Sequence, residues 1–208
     1  MVSANSALPR SNDDTPLVLR AIERDEAAFA ELYERHVVRV YRHIYYMVGS
    51  APEAEDLTSQ TFLRAWEAID RYQVRGAPFV SWLLRIAHNL GVSYLRARRD
   101  SSQLHDGIVD ETMRRDPESS FQQTEEEEMV RAAILKLRDE QRQVIILRFI
   151  EDLDYREVAE IIGKSVAAIR VIQHRALNAL RKQMKLMDQA DGRSEASSGG
   201  ATVGWGSG

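Results

Sequence analysis

The sequence predicts an all-α protein of two small helical domains joined by a flexible acidic linker. Apolar residues recur at three-to-four spacing through most of the 208-residue chain, the mark of helices buried along one face. No segment shows convincing period-two alternation, which a half-buried strand would need. A stretch rich in acid and poor in apolar residues separates the two periodic regions.

Residues 1–16 read as a flexible leader, since they lack the apolar core of a secretory signal. The first domain spans 17–100. In it, Phe29, Leu32, Tyr33, Val37, Val40, Ile44 and Met47 mark one long amphipathic helix. Gly49 stops that helix and Pro52 opens the next. Ala54, Leu57, Thr61, Ala65 and Ile69 form the second stripe, with Phe62 and Trp66 beside it. A loop at 71–78 carries Gly76 and Pro78, and a third long helix is expected over 79–99. Its buried face is Phe79, Trp82, Leu83, Ile86, Leu90 and Leu95. Core packing accounts for Trp66 and Trp82 better than a stacking platform for single strands does.

The linker, 101–125, carries Asp106, Asp110, Glu111, Asp116 and Glu118, and four consecutive glutamates follow at 125–128. The second domain spans 126–187. Met129, Ala132, Ala133, Leu135 and Leu137 mark one helix, and Val144, Ile145, Leu147 and Phe149 another. Residues 188–208 form a Gly/Ser-rich, disordered tail that cannot build a core. Trp205 within it has no assigned role.

The densest signal lies at 154–180. Asp154 and Glu157 have the spacing of a capping box. Val158, Ile161 and Ile162 supply an apolar stripe, and Ala159 is small where two helices must cross. Gly163 suits a left-handed turn, which costs a side chain but not a glycine. Ser165 can cap the helix that follows, and Ile169 and Ile172 point that helix back to the core. This is a helix-turn-helix, whose second helix is of the kind that enters a major groove. Residues 161–187 hold no acid but carry Lys164, Arg170, Arg175, Arg181, Lys182 and Lys185. A polyanion is the natural partner of such a surface. Glycine-hinged helical hairpins also occur in proteins that never touch DNA. Here the small residue, the glycine, the paired isoleucines and the one-sided charge coincide.

Composition narrows the function classes. The net charge is −4, so the whole molecule is no basic coating protein. There is no cysteine, which excludes disulfides and thiolate metal sites and fits the cytoplasm. The five histidines lack paired ligand spacing, so no metal and no cofactor is expected. No apolar run is long enough to insert into a membrane. A glycine-rich phosphate loop, a nucleophile elbow and a paired-carboxylate constellation are all lacking. The expectation is a protein with no catalytic residues.

A second basic face lies on the third long helix. Arg85, His88, Asn89, Val92, Arg96 and Arg99 recur opposite its core stripe, and Arg98 adds charge. Arginines there can hold phosphates, and Asn89 can meet a base edge. A solvated face ending in a dipole-favoured arginine cluster is the plainer alternative. The preceding loop places Tyr72, Gln73 and Arg75 beside Gly76, a mixture that suits a base drawn from its stack.

The runs AEDLTSQTFLRAWEAIDRY, FVSWLLRIAHNLGVSYLRARRD and DEQRQVIILRFIEDLDYREVAEIIGKSVAAIRVIQHRALNALR, in that order, resemble the extracytoplasmic-function group of the sigma-70 family of sigma factors. The resemblance implies that the first domain is region 2 and the second is region 4. Region 2 would then bind core RNA polymerase through Asp56, Ser59, Gln60 and Arg64. It would recognise and help melt the minus-ten element through Tyr72, Gln73, Arg75, Arg85, His88, Asn89, Arg96, Arg98 and Arg99. Region 4 would read the minus-thirty-five duplex through Lys164, Ser165, Ala168, Arg170, Val171, Gln173, His174 and Arg175. An anti-sigma factor is the further partner implied. Ser59-Gln60 stands where many members have Gln-Glu, and Val171-Ile172 where Ser-Arg is frequent. The competing reading is a stand-alone helix-turn-helix regulator binding a palindrome as a dimer, against which stands the lack of a heptad seam.

Overall fold

The computed structural model describes residues 14–74, 78–104 and 125–198, the end residues of some helices by backbone alone. The chain divides into two units, Met1–Pro117 and Glu118–Gly208. Among the described residues every regular element is helical, and no helix is long and apolar enough to cross a membrane.

The first unit holds α1 (Thr15–Ile22), α2 (Glu26–Val48), α3 (Ala51–Ala68) and α4 (Phe79–Leu104), with a 3₁₀ turn at Ile69–Arg71. Helix α1 adds one element ahead of the expected set, so Thr15 and Pro16 belong to the bundle rather than to the leader. Asp14, just before it, pairs with Arg35 at 3.2 Å and His36 at 2.8 Å and ties this end to α2. Helix α2 starts where the Asp25 carboxylate accepts the Ala28 N–H at 3.1 Å. It ends at Gly49, whose φ is 81°. Leu32, Val40, Ile44 and Met47 from α2 meet Ala54, Leu57, Phe62 and Ala65 from α3 and Leu83, Leu84, Ala87 and Leu90 from α4 in the buried core. Trp66 lies at the edge of that core, 4.9 Å from Phe29 between ring centroids. Helix α4 continues past the expected end at 99 to Leu104. Residues 100–103 are polar, but no proline or glycine stands in 100–104, and an existing helix lengthens at one hydrogen bond per residue fixed. Residues 105–124, most of the expected linker, lie outside the described residues, as do 1–13 of the leader.

The second unit holds α5 (Glu125–Leu135), α6 (Asp139–Ile145), α7 (Tyr155–Ile162) and α8 (Val166–Ser198), with a π-helical turn at Ile146–Ile150. Ile134, Val144, Ile146, Leu147, Val158, Ile169 and Ala176 form its core. Phe149 does not join them: it is 52% exposed. The π turn widens the helical repeat there, so a position that follows Ile145 at four-residue spacing falls on the solvent side. Helix α8 extends to Ser198 and takes in the first part of the expected tail. Residues 199–208, including Trp205, lie outside the described residues.

The hairpin α7–α8 is capped at each turn. Asp154 accepts the Arg156 and Glu157 N–H groups at 2.7 and 2.9 Å, and Glu157 returns an acceptor to the Asp154 N–H at 2.8 Å. Those amides hold the Asp154 carboxyl below the usual carboxylate range, the Glu157 N–H most of all. Gly163 closes α7 at φ 74°, and a Cβ added there would meet nothing within 4 Å. The need for glycine is therefore conformational and not steric. Ser165 accepts the Ala168 N–H at 3.2 Å and starts α8. Removing the cap with Asp154→Ala is expected to cost about 1 kcal/mol, and Gly163→Ala about 1–2 kcal/mol through φ alone. Chemical denaturation followed by circular dichroism checks both, and an unchanged midpoint for either refutes its assigned role.

Candidate nucleic-acid interface

Helix α8 carries the first candidate surface. Ile169, Ile172 and Ala176 are buried at three-to-four spacing. That fixes the opposite face as Ala167, Arg170, Val171, His174, Arg175 and Asn178, all exposed. Arg170, Val171, His174 and Arg175 are thus where the sequence places them. Val171 is 50% exposed, an apolar patch between two arginines, chemistry that suits a thymine methyl beside phosphates. Ala168 and Gln173 sit between the open face and the core and are half-buried. The Gln173 side-chain oxygen is buried without a hydrogen-bond partner. Both are marginal to the open stripe, because Ala168 lies four residues before Ile172 and Gln173 four after Ile169, only about 40° of rotation from the core face. Ala167 and Asn178 belong to the stripe and were not predicted. The 3.6-residue period run outward from Arg170 and His174 finds both.

The start of α8 has its own constraints. Ser165 spends its hydroxyl oxygen on the helix cap. Lys164 pairs with Glu140 of α6 at 2.8 Å, both side chains about half exposed. An exposed pair of this kind is worth about 0–1 kcal/mol, so a phosphate can displace the carboxylate. His174 is linked to the Asn178 side chain at 3.2 Å, and Asn178 accepts from Arg181 at 3.2 Å.

Helix α4 carries the second surface. Arg85, Asn89, Arg96, Arg98 and Arg99 are exposed. Arg98 also interacts with Tyr94, which lies beside Glu53 of α3. His88 is the correction. Leu84, Ala87, His88 and Gly91 form the buried stripe, and His88 is 3% exposed with its ring 6.1 Å from that of His43 on α2. It cannot touch DNA without unfolding the helix face. Its polarity invited the misplacement: imidazole fits either a wet or a dry position. Burial, helped by His43, pushes its pKa down to about 3.

At the entrance to α4 an aromatic cluster replaces a simple loop. Tyr72 stands 5.1 Å from Trp82 and 5.6 Å from Phe79, and Phe79 stands 5.6 Å from Trp82, centroid to centroid. Tyr72 and Trp82 are half-buried, so the cluster is anchored by buried Phe79 and open at its edge. Burial raises the Tyr72 phenol above its usual pKa, which keeps it neutral. Gln73 is exposed beside it. Arg75 lies outside the described residues.

The α3 residues Asp56, Ser59 and Arg64 are exposed and Gln60 is half-buried, all on one side of the helix. Gln60 donates to Asp56 at 2.6 Å and Ser59 donates to the Glu55 carbonyl at 3.1 Å. Leu63 sits between them and is 59% exposed.

The buried imidazole has a measurable consequence. A histidine whose pKa falls from 6.5 to about 3 on folding binds its proton more readily when unfolded. Stability is then intact above the unfolded value and is lost as pH falls through the interval between the two. One such group costs about 2 kcal/mol between pH 7 and pH 5. In a Trp205→Phe background, Trp66 and Trp82 fluorescence reports the first unit alone, and His88→Leu is expected to flatten its pH slope. An equal slope in both proteins refutes the assignment.

Comparison with known proteins agrees with this division. Residues 32–101 match the family model for Sigma-70 region 2 and residues 133–182 that for Sigma-70, region 4. The chain is 34% identical over 180 residues to the ECF RNA polymerase sigma factor BldN of Streptomyces coelicolor, covering 84% of this chain and 68% of that one. It is 32% identical over 178 residues to the ECF RNA polymerase sigma factor SigW of Bacillus subtilis, covering 77% and 91%. Among solved structures it resembles the sigma factor RpoE of Bartonella quintana in complex with the anti-sigma factor NepR. The TM-score is 0.66 at 25% identity, over 76% of this chain and 96% of that one.

Proposed function

The chain belongs to the sigma-70 family of RNA polymerase sigma factors, in its extracytoplasmic-function group, and from that premise we propose how its two units share the work of initiation. The protein binds core RNA polymerase and directs it to promoters. Its first unit takes the clamp of polymerase on the α3 stripe of Asp56, Ser59, Gln60, Leu63 and Arg64. Arg85, Asn89, Arg96, Arg98 and Arg99 then meet the minus-ten strand, while Tyr72 and Trp82 offer ring faces to an unstacked base. The second unit lays α8 in the major groove of the minus-thirty-five duplex. The chemistry of RNA synthesis belongs to polymerase, and the protein acts beside it in the cytoplasm. An anti-sigma factor is its expected regulator, as the complex of RpoE with NepR illustrates for that relative.

The observation that carries this reading is the pairing of two helices, α4 and α8, each buried on one side and cationic on the other, in two units matched in order by Sigma-70 region 2 and Sigma-70, region 4. Core enzyme with the purified chain is expected to initiate at a small set of genomic promoter fragments in run-off transcription, where core enzyme alone does not. No gain in specific initiation, or a dimer that protects a symmetric site without polymerase, overturns it. Arg175→Ala separates two roles for the exposed face of α8. A phosphate contact lowers the salt slope of promoter binding by about 1, whereas a base-edge contact costs about 1–3 kcal/mol and relaxes one base position. Binding unchanged in strength, slope and sequence preference refutes both.

A further inference from the structure

Tyr155 is the first residue of α7, and two guanidinium groups lie over its ring. Arg148 stands 4.2 Å and Arg170 5.1 Å from the ring centroid. Arg148 comes from the π-helical turn and also donates from Nη1 to the Leu153 carbonyl. Arg170 comes from the second turn of α8 and is exposed. One ring therefore connects the turn before the helix-turn-helix, its first helix and its second. Two like charges beside one ring repel each other, and the negative ring face offsets that repulsion. Arg148 is tethered by its carbonyl partner, so the adjustable charge is Arg170. A long side chain on an exposed helix face otherwise spreads over many rotamers.

We propose that Tyr155 is a positioning residue for DNA binding: its ring holds the Arg170 guanidinium in place at the start of α8, and Arg148 is the fixed charge behind it. The proposal rests on reading α8 as the duplex-reading helix. Tyr155 itself touches no DNA in this arrangement. It limits the conformations of Arg170 before the promoter arrives, so that less entropy is lost on contact.

The test uses the full chain with core polymerase and a promoter fragment recovered by the wild-type holoenzyme in the run-off assay. Affinity is measured across a salt series. Tyr155→Phe keeps the ring and is expected to bind as wild type does. Tyr155→Leu is expected to weaken binding about twofold to fivefold, the range for one exposed cation–π contact. The double variant with Arg170→Ala is expected to bind no more weakly than Arg170→Ala alone. Losses that multiply, with the salt slope of Tyr155→Leu unchanged, mean the ring only supports the fold and overturn the proposal. Arg170→Ala with wild-type affinity removes Arg170 from the interface and overturns the proposal together with that part of the reading beneath it. A second arm leaves the shape of α7 intact. Pentafluorophenylalanine at 155 keeps the ring and drains its face charge, so affinity is expected to fall relative to Tyr155→Phe. Equal affinity overturns the proposal even if Tyr155→Leu fails to fold.

Discussion

Both units depend on one constraint: a helix that must be dry on one side and cationic on the other. A step of one residue turns a side chain about 100° around the axis. On α8 the buried positions Ile169, Ile172 and Ala176 therefore dictate that Arg170, Val171, His174 and Arg175 face outward. On α4 the buried positions Leu84, Ala87 and Leu90 do the same for Arg85, Asn89 and Arg96. The core fixes how the basic faces are turned. A substitution that rotates or kinks either helix displaces several cations at once, which is why hydrophobic burial and DNA recognition cannot be varied independently here.

Helix ends were legible where the backbone needs a particular residue. Gly49 and Gly163 adopt positive φ, and the Asp154–Glu157 spacing forms both halves of a capping box. Ends set only by the fading of a pattern were not legible. Polar residues after 99 read as linker, yet no proline or glycine stands among them to stop a helix already formed, and α4 runs on through them, while α8 runs on after 187 even through Gly192. Amphipathic residues were the other difficulty. His88 was assigned to the wet face because it is polar, and Phe149 to the dry side because it is apolar. Each was decided by its neighbours in space. The π turn that exposes Phe149 has no signature in local composition. Nor does the Arg148–Tyr155–Arg170 stack, which joins residues 22 positions apart across a hairpin.

Three of the cations on or beside these faces already have partners inside the protein. Lys164 has Glu140, Arg170 has the Tyr155 ring, and Arg98 has Tyr94. Such contacts are individually small, about 0–1 kcal/mol for an exposed pair. A phosphate therefore outcompetes a lone carboxylate partner without a large loss. The ring partner differs in kind. A carboxylate must be released before the cation can meet DNA, and it is left uncompensated on the surface. A ring can keep its guanidinium while the outer edge of that group donates to a new acceptor, because the stack uses the face and the hydrogen bonds use the rim.

The charge of the whole chain then makes binding conditional. With a net charge of −4, the molecule as a whole is repelled by a polyanion at long range, while its basic patches attract at short range. Free in solution, each face is a weak and salt-sensitive binder. Once both units are docked on polymerase, the second contact becomes intramolecular, and its effective concentration rises with no new interaction being formed. The acidic surplus works in the same direction. On this reading it would oppose binding to non-promoter DNA when polymerase is absent, and would cost little once polymerase brought the basic faces within a Debye length of the duplex. A more basic chain would bind DNA better alone and would discriminate less.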